Sequence, residues 1–201
     1  MISQTLGNYG EASGECEYLT LAFSPLNAPL RSRWRNNGLS ADFLGDYVTT
    51  FLPTEGSMAA DESRQNEIRH AVTYIANELL ENAMKYHERL ADTPIGIHLK
   101  LGGDRIAVSA SNGVSVGQAQ HYKAFVERLL AGDASDLLLK QQEESVRGGD
   151  STASCVGLLT MIADYGATLG WRFDADPEES EMMTVTTSAV LPINNISGVS
   201  A

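Results

Sequence analysis

The sequence predicts a two-layer α/β sandwich, an α+β arrangement in which a mixed, mostly antiparallel sheet is covered on one face by helices. Two observations carry that expectation. Short segments alternate apolar and polar residues with the period of a half-buried strand, and longer segments repeat apolar residues every three to four positions, the period of an amphipathic helix. They follow one another as strand, helix, long helix, strand, strand, helices, glycine-rich segment, helix, strand, strand, an order that gathers the helices against one sheet.

Residues 1 to about 15, rich in Gly, Ser, Asn and Glu, read as a flexible N-terminus. Glu17 to Phe23 alternates as a strand that Pro25 ends. From Ser40, read as an N-cap, the residues Phe43, Leu44, Tyr47, Val48 and Phe51 share one helical side until Pro53. The polar stretch after it is a loop that leads, near Asp61, into a long helix with Ile68, Val72, Ile75, Leu79 and Tyr86 on one face, terminated before Pro94. Ile95 to Leu101 and Ile106 onward flank Gly102 and Gly103 as a hairpin. Gln118 to Leu130 is a further helix, residues 133 to 145 form a weaker one, and "VRGGDSTAS" has the glycines and hydroxyls of a segment free to move. Helix resumes near Cys155, and "TLGWRF" and "MTVTTSAVL" are the last strands, with Trp171 and Phe173 in the sheet core. Residues 16–192 thus read as a single domain, followed by a flexible tail from 193 to 201.

Composition narrows the function classes. With 43% hydrophobic and 20% charged residues and a net charge of -12, the chain reads as a globular protein without the basic footprint that nucleic acid or anionic lipid rewards. No apolar run reaches the length of a membrane span and no secretory signal opens the chain. Two distant cysteines, Cys16 and Cys155, suit a reducing, cytoplasmic setting. The exception to the acidic balance is Arg31, Arg33 and Arg35 around Trp34, residue types that anchor protein partners.

The chemistry concentrates in "NELLENAMKYH", Asn77 to His87. Glu78 lies three residues past Ile75 and Asn82 three past Leu79, so both fall on or beside the buried stripe of the long helix, and Lys85 follows a turn later. Burying a carboxylate or carboxamide costs a few kcal/mol unless it is satisfied. A carboxylate, a carboxamide oxygen and an ammonium in a row suit a hydrated magnesium ion with its phosphates. The plainer alternatives are satisfaction by backbone or water, and a surface ion pair between Glu81 and Lys85.

Glu78-x-x-x-Asn82-Ala83-x-Lys85-Tyr86 resembles the N box of the GHKL ATPase superfamily, the Bergerat fold of sensor histidine kinases, gyrase and the anti-sigma-factor serine kinases. In that fold a strand ending in D-x-G-x-G follows, then a mobile lid, then G-x-G-L-G-L at a helix start. Here the corresponding segments are Ser111-Asn112-Gly113-Val114-Ser115 and Ala153-Ser154-Cys155-Val156-Gly157-Leu158, and the resemblance spans about residues 64 to 191. It implies that Asn82 holds magnesium, that Glu78 polarises the attacking hydroxyl or water, and that Lys85, Ser111, Gly113, Ser154 and Gly157 surround ATP. The glycine boxes are degenerate: Ser111 stands where an adenine-reading aspartate is expected, and Ser115, Ala153 and Cys155 replace glycines.

Within the superfamily no phosphoacceptor histidine precedes the N box on a separate hairpin, and His70 lies on the long helix itself. The resemblance therefore points to the small serine kinases of bacterial partner switching, which phosphorylate a STAS-domain antagonist. "LTLAFSP" and "GLLTMIADYGATLGW" resemble segments of bacterial SiaB-like kinases. That branch implies ATP and magnesium as cofactors, a protein partner, and dimers as a common state. Two further readings stay open: a module that has kept the fold and lost catalysis, sequestering a partner, and a nucleotide hydrolase without a protein acceptor.

Overall fold

The computed structural model describes residues 3–10, 16–24, 30–52, 57–88, 91–102, 104–132, 153–175 and 181–193, the side chains of 30–36 and 153–155 excepted. In chain order the elements are β1 (Ser3–Gly7), β2 (Glu17–Phe23), α1 (Leu30–Thr49), α2 (Met58–Tyr86), β3 (Ile95–Leu101), β4 (Arg105–Ser115), α3 (Val116–Ala131), α4 (Ala153–Ala163), β5 (Thr168–Ala175) and β6 (Met182–Pro192). The strands form one sheet in the order β1-β5-β6-β4-β3-β2, and every neighbouring pair is antiparallel. The expected sandwich is present, with a sheet that is antiparallel throughout the described residues.

The centre of the sheet is the β4–β6 pair, in register from Arg105 opposite Pro192 to Ser115 opposite Met182. Alternate residues of these strands, Ile106, Val108, Ala110 and Val114 on β4 and Val185, Ala189 and Leu191 on β6, are buried in the core they share with the helices. Helix α2 brings Ile68, Val72, Ile75, Leu79 and Leu80 to that core, all at most 1% exposed. Its N-cap is Ser57, whose hydroxyl accepts from the Ala60 N–H, and its C-cap His87 is extended, so the helix ends several residues before Pro94. Helix α3 is held over the β6 side: the Trp171 indole Nε1 donates to the Tyr122 hydroxyl at 2.9 Å, and Tyr122 packs on Phe173 with ring centroids 6.2 Å apart.

Three expectations need correction. Ser3–Gly7 is not loose: it pairs with β5 as an edge strand, from Ser3 opposite Asp174 to Gly7 opposite Gly170. Its residues are too polar to show a strand pattern, because an edge strand lying mostly in solvent is held by main-chain hydrogen bonds and asks little of its side chains. Ser40 is not a cap. Helix α1 begins at Leu30 and runs through Gly38 and Ser40, its interior secured by Asn37, Ala41, Leu44 and Val48, all at most 2% exposed. Third, the helix after β4 starts at Val116, two residues earlier than Gln118, because Ser115 caps it. The Ser115 hydroxyl accepts from the Gln118 N–H at 3.3 Å and Gln118 Oε1 accepts from the Ser115 N–H at 2.9 Å, a reciprocal capping box. The weaker helix expected over 133 to 145, the "VRGGDSTAS" segment up to 152 and the tail from 194 lie outside the described residues.

Candidate functional site

Helices α2 and α3 stand apart over β4 and β6, and the space between them is a cavity of about 420 Å³, within the usual range for a small-molecule site. From α2 it is lined by Leu79, Asn82, Ala83 and Tyr86, from the sheet floor by Ala110, Asn112, Val114, Val185 and Thr187, from α3 by Gln118, His121, Tyr122 and Phe125, and from α4 by Leu158. Most of this surface is apolar, and its polar groups are carboxamides, hydroxyls and one imidazole. Tyr122 and Phe125 lie nearly parallel, centroids 6.0 Å apart and planes 13° apart.

Asn82 reaches this cavity as its sequence spacing suggests. Glu78, one turn back, does not line it. Tyr74, Glu78 and Asn82 follow one another at four-residue steps on α2, and the first two face α4 and the turn after it: Tyr74 stacks on Tyr165 with centroids 5.0 Å apart. The Glu78 carboxylate lies directly against Gly157, where an added methyl group would overlap it. Glycine at 157 is thus what lets α4 approach α2, and Gly157 meets the carboxylate rather than the cavity. Burial raises the Glu78 carboxyl above its ordinary value, with the neighbouring charge of Glu81 adding to the effect.

The remaining expected site residues lie elsewhere. Lys85 is exposed, with its ammonium 5.3 Å from the Tyr86 ring centre. Ser111 lies on the sheet face opposite the cavity, beside Gly96. Gly113 shares that parity: its N–H donates to His87 Nδ1 at 3.3 Å, its carbonyl accepts from the Glu88 N–H at 2.8 Å, and a methyl group on it would press on Ala91. It ties the end of β4 to the chain that follows α2. Ser154 is in the first turn of α4, with its side chain outside the described residues, as are those of Cys155 and of Arg31, Arg33, Trp34 and Arg35.

Asn112 is the residue that the sequence reading left without a role. It is 7% exposed, lines the cavity floor, and its Nδ2 donor has no partner among the described residues. The signal for it was present: Ile106 and Val108 define the buried parity of β4, and counting on by twos gives Ala110, Asn112 and Val114.

The donor set can be weighed against magnesium ATP. A buried, unpaired amide donor inside an apolar cavity with aromatic walls suits a nucleobase, and Asn82 offers the single hard oxygen that a largely hydrated magnesium needs. No lysine, arginine, aspartate or glutamate is among the described lining residues, and among the described residues no group of three or more His, Cys, Asp or Glu side chains gathers as a metal centre. The cavity therefore fits the nucleoside part well, and its magnesium contact rests on Asn82 alone.

No protein-family model matches this chain, and no curated protein sequence does. Among solved structures, a chain of the crystal structure of the SiaB–SiaC complex from Pseudomonas aeruginosa is similar in fold, with a TM-score of 0.56 and 17% identity over 86% of this chain and 89% of that one. Among the described residues no helix is long and apolar enough to cross a membrane.

Proposed function

We propose that this protein is an ATP-binding regulator with a Bergerat-type site, acting as a protein-serine kinase on a STAS-type antagonist in a partner-switching pathway. The observation that carries this reading is the placement of Asn82, the central residue of the N-box pattern, on the wall of a nucleotide-sized cavity that also contains the unpaired Asn112 amide. The similarity in fold to a chain from a two-protein complex supports a protein partner.

Magnesium ATP, when bound, supplies the transferable phosphoryl group. Asn82 would hold the magnesium through its carboxamide oxygen, and the Tyr122 and Phe125 rings with Asn112 would hold the base. Glu78, one turn from Asn82, would be the proton acceptor for the partner's serine hydroxyl, a role that requires its carboxylate to turn from Gly157 toward the cavity; burial raises its proton affinity. The first turn of α4, which contains Ser154, offers backbone N–H groups suited to phosphate oxygens.

A specific observation favours a second reading. Glu78 is packed against Gly157, and the described cavity wall carries no cationic side chain, an arrangement that also serves a module binding nucleotide or partner without phosphoryl transfer. Titration calorimetry with magnesium ATP, on the wild type and on Asn82→Ala, tests the shared premise: the variant should lose tenfold or more in affinity, about 1.4 kcal/mol, and equal binding by both would remove Asn82 from the site. Incubation with radiolabelled ATP and a STAS-domain protein from the same genome then separates the two readings. Label on a serine of that protein supports the kinase; tight binding without transfer supports the binder.

A further inference from the structure

We propose that Asn112 makes the cavity indifferent to the 6-position of a purine, so that 6-amino and 6-oxo nucleotides bind with similar affinity. The inference rests on the nucleotide-binding reading above and deepens it.

The argument begins from hydrogen-bond inventory. An acceptor-only carboxylate accepts one N–H from a purine edge and meets a lone pair beside it, so it complements neither the 6-amino nor the 6-oxo edge fully. A carboxamide presents a donor and an acceptor side by side, and a half-turn about its terminal bond exchanges them. Adenine shows an amino donor next to a ring-nitrogen acceptor, and hypoxanthine or guanine shows a carbonyl acceptor next to an N–H donor. One Asn side chain complements either edge.

The structure places such a group where it must act. Asn112 is 7% exposed on the cavity floor and its Nδ2, itself closed off from solvent, has no partner among the described residues, and a buried donor left unpaired costs roughly 1–3 kcal/mol. A ligand acceptor relieves that cost, which a 6-oxo group or a ring nitrogen each provides.

Nothing else among the described lining residues restores discrimination. Asn82, Tyr86, Gln118, His121, Tyr122 and Thr187 carry amides, hydroxyls or an imidazole that can each donate or accept, and no Asp, Glu, Lys or Arg among the described residues lines the wall to impose a sign. The aromatic surface of Tyr122 and Phe125 stacks on any base, because every base has a π-face.

The test is a competition titration of the full-length protein with ATP, ITP and GTP, each with magnesium, followed by the same series on Asn112→Asp and Asn112→Ala. ITP is the decisive probe, since it differs from ATP only in exchanging the 6-amino edge for the 6-oxo edge. The expected result is ATP and ITP affinities within about threefold for the wild type, and about tenfold weaker binding of both in Asn112→Asp and in Asn112→Ala. Wild-type binding of ATP with ITP thirtyfold weaker or worse overturns this inference and leaves the nucleotide site standing. Binding of neither nucleotide overturns both. The wild-type ratio decides the matter even where a variant fails to fold.

Discussion

The row of polar residues on α2 and the row on β4 reach the cavity differently. Tyr74, Glu78 and Asn82 are spaced by four, yet only Asn82 lines the cavity; Ala110, Asn112 and Val114 are spaced by two, and all three do. The reason is angular. Four helical residues advance about 400° around the axis, so each step drifts about 40°, and over two steps the row turns from α4 toward the sheet. A strand returns to the same face every second residue without drift. A motif on a helix therefore mixes residues that face the cavity with residues that fix the neighbouring helix, whereas a strand motif sorts cleanly by parity.

The largest expected effect comes from the seam that Tyr74 and Glu78 make with α4. Gly157→Val would drive a side chain into the Glu78 carboxylate and should destabilise the protein by about 1 kcal/mol in urea unfolding, the lower range for overpacking, because the group displaced is the end of a flexible side chain. Adding Glu78→Ala to that variant removes the overlapping carboxylate and should recover more than half of the loss. Full stability of Gly157→Val would show that α2 and α4 do not depend on this contact.

A smaller effect tests the same carboxylate by pH. Its folded-state proton affinity is raised, by burial first and by Glu81 second, above the ordinary value of 4.5. The folded state thus holds the proton more tightly than the unfolded chain, so the protonated form contributes stability below 4.5 that is lost as the pH rises through the raised folded value. Replacing Glu78 by Gln removes this dependence. Unfolding free energy measured across that window should fall less with increasing pH in Glu78→Gln than in the wild type, and parallel curves would place Glu78 in water.

How much of this was legible follows from the same geometry. The 3.6-residue period of α2 and the alternation of β3, β4, β5 and β6 gave the sandwich, because buried faces impose periodicity. Edge strand β1 escaped because its side chains bury little, and α1 looked shorter because Gly38 and Ser40 resemble a boundary that packing of Ala41 and Leu44 overrides. In the site, Asn82 was legible from helical spacing alone. Glu78 was legible as a half-buried acid, but not its contact with Gly157, which depends on how α4 crosses α2 some eighty residues later in the chain. Ser111 and Gly113 fall in the glycine-box pattern, whereas strand parity marks Asn112 between them.

That parity yields the smallest expected effect, and its smallness is the point. If Ser111 occupied the base-reading position, removing its hydroxyl would weaken nucleotide binding, and installing a carboxylate there would strengthen binding of ATP. The structure places it on the far face, opposite Thr186 across β6 and beside Gly96, where neither change reaches the cavity. Ser111→Ala should leave ATP affinity within twofold by calorimetry and change stability by less than about 0.5 kcal/mol. Ser111→Asp should bring no gain in affinity and some loss of stability, since Thr186 opposite it is 5% exposed and a carboxylate there is short of water. A rise in ATP affinity on Ser111→Asp would mean that β4 presents its other set of residues to the ligand, and the roles drawn here for Asn112 and Ser111 would exchange.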